Sequence, residues 1–432
     1  MKKNLKAIAA TVCAVTCSFG FAACAIDIDN PGKGPTGNET PNYQQGELND
    51  AAFDYELLED KSGYLVTGIG SITATNISIP ATYKGLPVKG IADDAFSGRE
   101  DIEVIAIGNN IEFIGANAFT LCSGLTSIKI PVSVKELGEG AFTNCSKLRA
   151  VVFPENSQLS SIRQNTFQNC TSLTSITIPD SVKDIGKRAF QGCSSLRTVV
   201  IGEGVTRIGV DVFRNCSALV NVTFGNSVSI IESGAFMRCS SLKSMVLPGS
   251  ITYMGANMFF GCDLLQSLTI PLVGEGTIPE DYETDREPAT NFTHLFGNSA
   301  PPSSLKSLTI LGGGKIASYA FAYCGDIERI KFGSGVTIIG TACFYPSYGL
   351  TTVIISDKVV AIEVAAFYAT SVDTVYYEGT KIKWLNFPIL SDNQPIRKAN
   401  VYFYSEEYPY VDGVTSDMFW HYVDGEPVVW QI

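Results

Sequence analysis

The chain has 432 residues, of which 45% are hydrophobic and 17% charged, enough apolar material for a large core and too much for a disordered protein. Its formal net charge of −12 excludes binding to nucleic acid or anionic lipid through bulk charge, because both carry the protein's own sign. With only 2 histidines, acid-base catalysis would fall to carboxylates, and no pair of these is singled out by its spacing.

Residues 1–23 place Lys2, Lys3 and Lys6 ahead of an apolar run from Ala7 to Phe21, which reads as an export signal. The run is shorter than the roughly 20 residues a transmembrane helix needs. Phe21-Ala22-Ala23-Cys24 resembles the lipobox of bacterial lipoproteins, which implies lipidation at Cys24, export and a lipid anchor at the bacterial cell surface. Cleavage after Ala25 is the alternative, and it would leave a secreted protein. Residues 24–52 are polar and rich in Pro, Gly and Asn, as a flexible tether is.

Beyond residue 53 the chain repeats itself. Phenylalanines fall at 96, 119, 142, 167, 190, 213, 236 and 259, then at 321, 344 and 367, mostly 23 residues apart and once 25. An apolar residue stands five before each, Ile114 and Ile185 among them, and a Leu or Ile six after most, as Leu125 and Leu196 do. The unit reads I-G-x-x-A-F-x-x-C-x-x-L-x-x-I-x-I-P. Its L-x-x-I-x-I part alternates apolar and polar and is predicted as a short strand, stopped by prolines such as Pro131 and Pro179. The part around each Phe, as in GEGAFTNC, is predicted as one or two helical turns. No single unit buries its own apolar face, so the copies must stack.

These residues resemble the BspA-type, or treponemal-type, leucine-rich repeats of bacterial surface proteins over about residues 53–375. The resemblance implies a leucine-rich repeat solenoid, β-rich with short helical turns, of about 11–12 repeats with N- and C-terminal caps. Residues 53–90 would be the N-terminal repeat or cap, 91–375 the solenoid with an irregular insertion near 272–304, and 376–432 an aromatic C-terminal cap. Family members are typically non-enzymatic adhesion or interaction proteins, and the family offers no shared catalytic residues to carry over.

Cysteines recur three residues after eight of the eleven phenylalanines, at Cys122, Cys145, Cys170, Cys193, Cys216, Cys239, Cys262 and Cys324. A repeated register of this kind predicts a structural core column. Parallel side-chain vectors oppose regular disulfides, and no C-x-x-C or suitably placed histidine favours a metal. No cofactor motif is found; the glycine-rich GEGVTRIG and GSGVTIIG recur as repeat turns.

The outward strand positions are small, polar and locally basic, and Lys129, Arg197, Asn221, Lys243, Lys306, Arg329 and Lys331 are the candidate partner-binding residues. They lack the aromatic rows that stack on sugars, so an extended protein partner on a host or bacterial surface is the expected ligand. Two departures from the repeat compete for function. One is the insertion carrying Glu275, Glu280, Asp281, Glu283, Asp285 and Glu287, which is read as a solvated acidic loop, with partner binding or Ca²⁺ as alternatives. The other is the tail, which holds Trp384, Trp420 and Trp430. It is read as a cap, with a glycan-binding platform of a surface uptake system, or an enzyme site, as alternatives. The protein is expected to be a monomer.

Overall fold

The computed structural model describes residues 53–273, 276, 289–407, 410–411, 414–415 and 418–430. The leader, the tether, Cys24 and the acidic side chains from Glu275 to Glu287 lie outside these described residues. Within them, each repeat of about 23 residues makes one turn of a solenoid with three walls: a strand face, a second face of very short strands and a turn face.

The strand face is built from the L-x-x-I-x-I segments. Fourteen parallel strands follow one another along it, from Asn76–Ser78 to Asn400–Tyr404. Ser175, Thr198 and Asn221 stand side by side without slippage, as do Ile176, Val199 and Val222 in the next row. Alternation then divides the two rows, with Ile176 and Val199 buried and Ser175 and Asn221 outward. The ladder falls into runs of four, three and seven strands, the last extended to nine by the terminal hairpin. The first break lies between Ala150–Val152 and Ser175–Thr177, where the chain takes its one 25-residue step.

The turn face corrects the expectation of short helical turns. Phenylalanine segments form hydrogen-bonded turns, and among the described residues helix is confined to Phe292–Phe296, Lys381–Leu385 and Gln394–Lys398. The reason lies in competition for backbone donors. The N–H groups of Asn117, Phe119 and Leu121 donate to Glu139, Ala141 and Thr143 of the next repeat at 2.8, 2.8 and 2.9 Å, while those of Thr120 and Cys122 reach back to Asn117 and Phe119. A neighbour one repeat away captures alternate donors, so the i→i−4 pattern of a helix cannot close. This geometry forces a left-handed backbone two residues before and two after most of the phenylalanines, as at Asn117 (φ 52°) and Asn169 (φ 58°). Asn, Gly and Asp recur at these slots because they adopt αL at least cost.

Phenylalanine rings fill the interior as a continuous stack. Successive ring centres from Phe96 to Phe259 are 5.1 to 6.0 Å apart, in near-parallel planes. The insertion does not interrupt the strand face, since Ser267–Ile270 pairs in register with Ser307–Ile310. It restores the aromatic column instead. Phe296 sits 6.2 Å from Phe259, and Phe292 sits 5.2 Å from Phe321. His294, between them, is buried, with Nδ1 and Nε2 at 2.7 and 3.2 Å from the carbonyls of Asn291 and Met254.

Both ends close with antiparallel pairs. Asp54–Leu57 pairs with Tyr64–Gly68 at the N-terminal end, and Phe53 packs edge-on to Phe96. At the other end Thr374–Tyr377 and Asn400–Tyr404 continue the strand face, followed by the hairpin Phe419–Val423 and Glu426–Val429. The solenoid therefore has more turns than the eleven or twelve expected. Strands such as Asn400–Tyr404 add turns that lack the Phe and Cys signature from which the repeats were counted.

Candidate interaction surface

Two groups of residues were singled out by the repeat, and the structure turns one into the core and the other to the surface. The cysteines point inward. All nine described cysteines are buried, and none is disulfide-bonded. Each thiol from Cys122 to Cys262 donates to the carbonyl of a Phe in the preceding repeat: Cys122 to Phe96 at 3.1 Å, Cys193 to Phe167 at 3.2 Å, Cys216 to Phe190 at 3.3 Å. Cys324 is the exception, because no column phenylalanine precedes it at that spacing; its sulfur lies 3.8 Å from the carbonyl of Ala322. Burial pushes the Cys122, Cys193, Cys262 and Cys324 thiols up to about 12, and the rest of the column rises with them. Such thiols stay protonated and unreactive at neutral pH.

The basic residues point outward, and they divide into two sets. Lys129, Arg197, Asn221 and Lys243 are exposed, and the three cations have no ion-pair partner among the described residues. Around them lie Ser127, Ser175, Thr198 and Ser244, a flat surface of small side chains. Lys306, Arg329 and Lys331 are already engaged. Lys306 pairs with Glu328 at 3.2 Å, Arg329 pairs with Glu426, and the Lys331 ammonium lies 4.3 Å above the Tyr422 ring.

Glu426 and Tyr422 belong to the terminal hairpin, so the hairpin folds over the outer side of the strand face. Ile354, in the outward row between Lys331 and Tyr376, is only 3% exposed as a result. Trp420 is fully buried against Tyr376, Tyr404 and Tyr422, and its Nε1 donates to the Tyr377 carbonyl at 3.3 Å. Trp430 stacks on His421 at 3.6 Å, and Trp384 stacks on Phe387 at 5.4 Å. Trp420 is thus enclosed by protein, whereas Trp384 and Trp430 are half-buried.

The model of the BspA type leucine rich repeat region matches residues 70–170, 160–275 and 302–400, in 6 copies. The chain belongs to this family. Among solved structures, leucine-rich repeat proteins are similar to this chain. A leucine rich repeat protein of T. pallidum is 31% identical over 44% of this chain and 88% of its own, with a TM-score of 0.40. A leucine rich cell surface protein of Faecalibacterium prausnitzii is 23% identical over 78% of this chain and 96% of its own, with a TM-score of 0.42. A leucine-rich repeat protein of Bacteroides ovatus is 22% identical over 79% of this chain and 88% of its own, with a TM-score of 0.38. No curated protein matches.

Within this BspA-type frame two residues escaped the motif. Arg149 is exposed in the slot just ahead of its strand, the slot that Arg197 and Lys243 fill, and it extends their basic column toward the N-terminal end. Its position after Leu148 marks it in the sequence, although the 25-residue spacing of its repeat sets it apart from the regular copies. Ser347 is the other. It stands three residues after Phe344, in the cysteine slot, and its Oγ donates to the Phe321 carbonyl at 3.2 Å. A hydroxyl doing the thiol's work shows that the slot asks for a small buried donor.

Proposed function

We propose that the chain is an exported, lipid-anchored surface protein, held through Cys24, that binds a protein partner on a host or bacterial surface along the open part of its strand face. The supporting observation is the column of Arg149, Arg197 and Lys243, with Lys129 beside it, exposed on a flat small-residue sheet in a chain whose net charge is −12. A local basic stripe on an acidic protein selects an extended partner with acidic side chains and orients it along the stripe. The family is one of repeat scaffolds, and a non-enzymatic role as a monomeric binding module fits a surface built from one repeated slot.

The test uses the mature chain against immobilised host matrix proteins and mucins. Lys129→Glu, Arg197→Glu and Lys243→Glu together should weaken binding at least about tenfold, most at low salt where screening is least. Arg329→Glu and Lys331→Glu should have little effect, because the hairpin already occupies them. Equal affinity in the first triple variant, shown to be folded, contradicts the assignment. Cys24→Ala should release the protein from membranes into the medium, and unchanged retention contradicts the anchor.

A further inference from the structure

The turn face changes character in the last three copies of the Phe motif. Their turns read SYAFAYCGD (318–326), TACFYPSYG (341–349) and VAAFYATSV (364–372), with Asp326 the one charged residue and no cation; earlier turns carry charge, as in EGAFTNCSK (139–147) and KRAFQGCSS (187–195), or are uncharged, as in ANAFTLCSG (116–124) and QNTFQNCTS (164–172), and none of these four has a tyrosine. The last three turns present Tyr319, Tyr323, Tyr345, Tyr348 and Tyr368, each between 42% and 74% exposed. Tyr345 and Tyr368 fill one slot in successive repeats and stack at 5.6 Å, with only Ala322 in that slot one repeat earlier.

Tyr319 and Tyr323 occupy the two left-handed slots of their turn, at φ 59° and 64°. In the eight earlier repeats thirteen of the sixteen such slots hold Asn, Asp or Gly, which bear that backbone more cheaply, and Leu121, Arg188 and Arg238 hold the other three; no earlier slot holds an aromatic residue. A bulky aromatic there opposes folding, and exposed at the surface it recovers little by burial. Strain of this kind persists where the side chain serves a ligand.

Five exposed phenols in a patch whose one charged neighbour is the acid Asp326 suit a ligand with apolar faces, many hydroxyls and no charge. Pyranose rings have that chemistry: their C–H faces lie against aromatic rings, and their hydroxyls pair with phenolic oxygens and exposed backbone. An acidic protein partner finds no cation here. We infer that the tyrosine patch spanning Tyr319 to Tyr368 is a binding surface for a neutral oligosaccharide, separate from the strand face. The aromatic platform is therefore in the solenoid, on a face that the outward strand positions do not include.

The experiment is calorimetric titration of the mature chain with maltohexaose, cellohexaose, xylohexaose and mannohexaose. At least one should bind, and Tyr323→Gly with Tyr348→Ala should weaken it at least about tenfold, while Lys129→Glu and Lys243→Glu leave it unchanged. Tyr323→Gly alone should raise the melting temperature while lowering affinity, a combination that loss of folding cannot produce. Failure of all four sugars to bind overturns the proposal, as does equal affinity in the tyrosine variants. It is also overturned if those variants lose a protein partner and no sugar binds, since the patch would then be a protein interface.

Discussion

Raising the pH above 9 under reducing conditions should unfold the solenoid over a narrow interval, well below the pH at which its arginines lose charge. Burial raises the folded-state pKa of the column thiols from an ordinary 9.0 to about 12 at Cys193 and Cys262, and upward at Cys170, Cys216, Cys239 and Cys343 as well. The folded state therefore holds protons that the unfolded chain releases. Stabilisation is complete below the unfolded value and is lost as pH climbs toward the folded one. Each thiol contributes a slope of about 1.4 kcal/mol per pH unit across that window. Nine such thiols acting together match a typical stability of about 5–15 kcal/mol within about one pH unit. Circular dichroism against pH measures the transition. Replacing Cys145, Cys170, Cys193, Cys216 and Cys239 by Ser, the residue that nature places at 347, should remove most of the steepness. Rapid alkylation of the native thiols at neutral pH, or a serine variant with the same steep transition, contradicts this.

Phe190→Ala should destabilise the chain by roughly 3–5 kcal/mol, the cost of deleting a large core aromatic. Phe190 is fully buried between Phe167 and Phe213, with ring centres at 5.4 and 5.6 Å. Because each repeat rests only on its neighbours, the loss is felt on both sides and lowers cooperativity along the array. Ser175→Ala, on the outer side of the adjoining strand, should stay within about 0.5 kcal/mol. Urea unfolding followed by far-ultraviolet circular dichroism compares the two. Equal effects would mean that the inner and outer faces are interchanged.

Much of the architecture was legible because the same constraint is written many times. Register across copies of Phe, Cys and Leu gave the strand rows, the buried columns and the inward direction of Ile128 and Ile176, which a single copy could not. What a period cannot show is how neighbouring copies share backbone donors. The GEGAFTNC segment looks helical in isolation, and it forms an inter-repeat ladder only because Phe119 and Leu121 find carbonyls in the next turn. Long-range closure was equally hidden. Nothing in the spacing of Arg329 and Glu426 tells that a hairpin returns across the sheet to pair them. The exposed tyrosines were present in the sequence, but their slots at Tyr319 and Tyr323 gain meaning only from the left-handed backbone there.

The claim that the strand face docks a protein is tested most directly by lysine footprinting of the complex. Amine acetylation followed by mass spectrometry, with and without the bound partner, should show Lys129 and Lys243 protected, while Lys183 and Lys187, exposed away from the strand face, react as before. Protection of Lys183 or Lys187 with Lys129 and Lys243 fully reactive would place the partner on another wall and contradict the assignment.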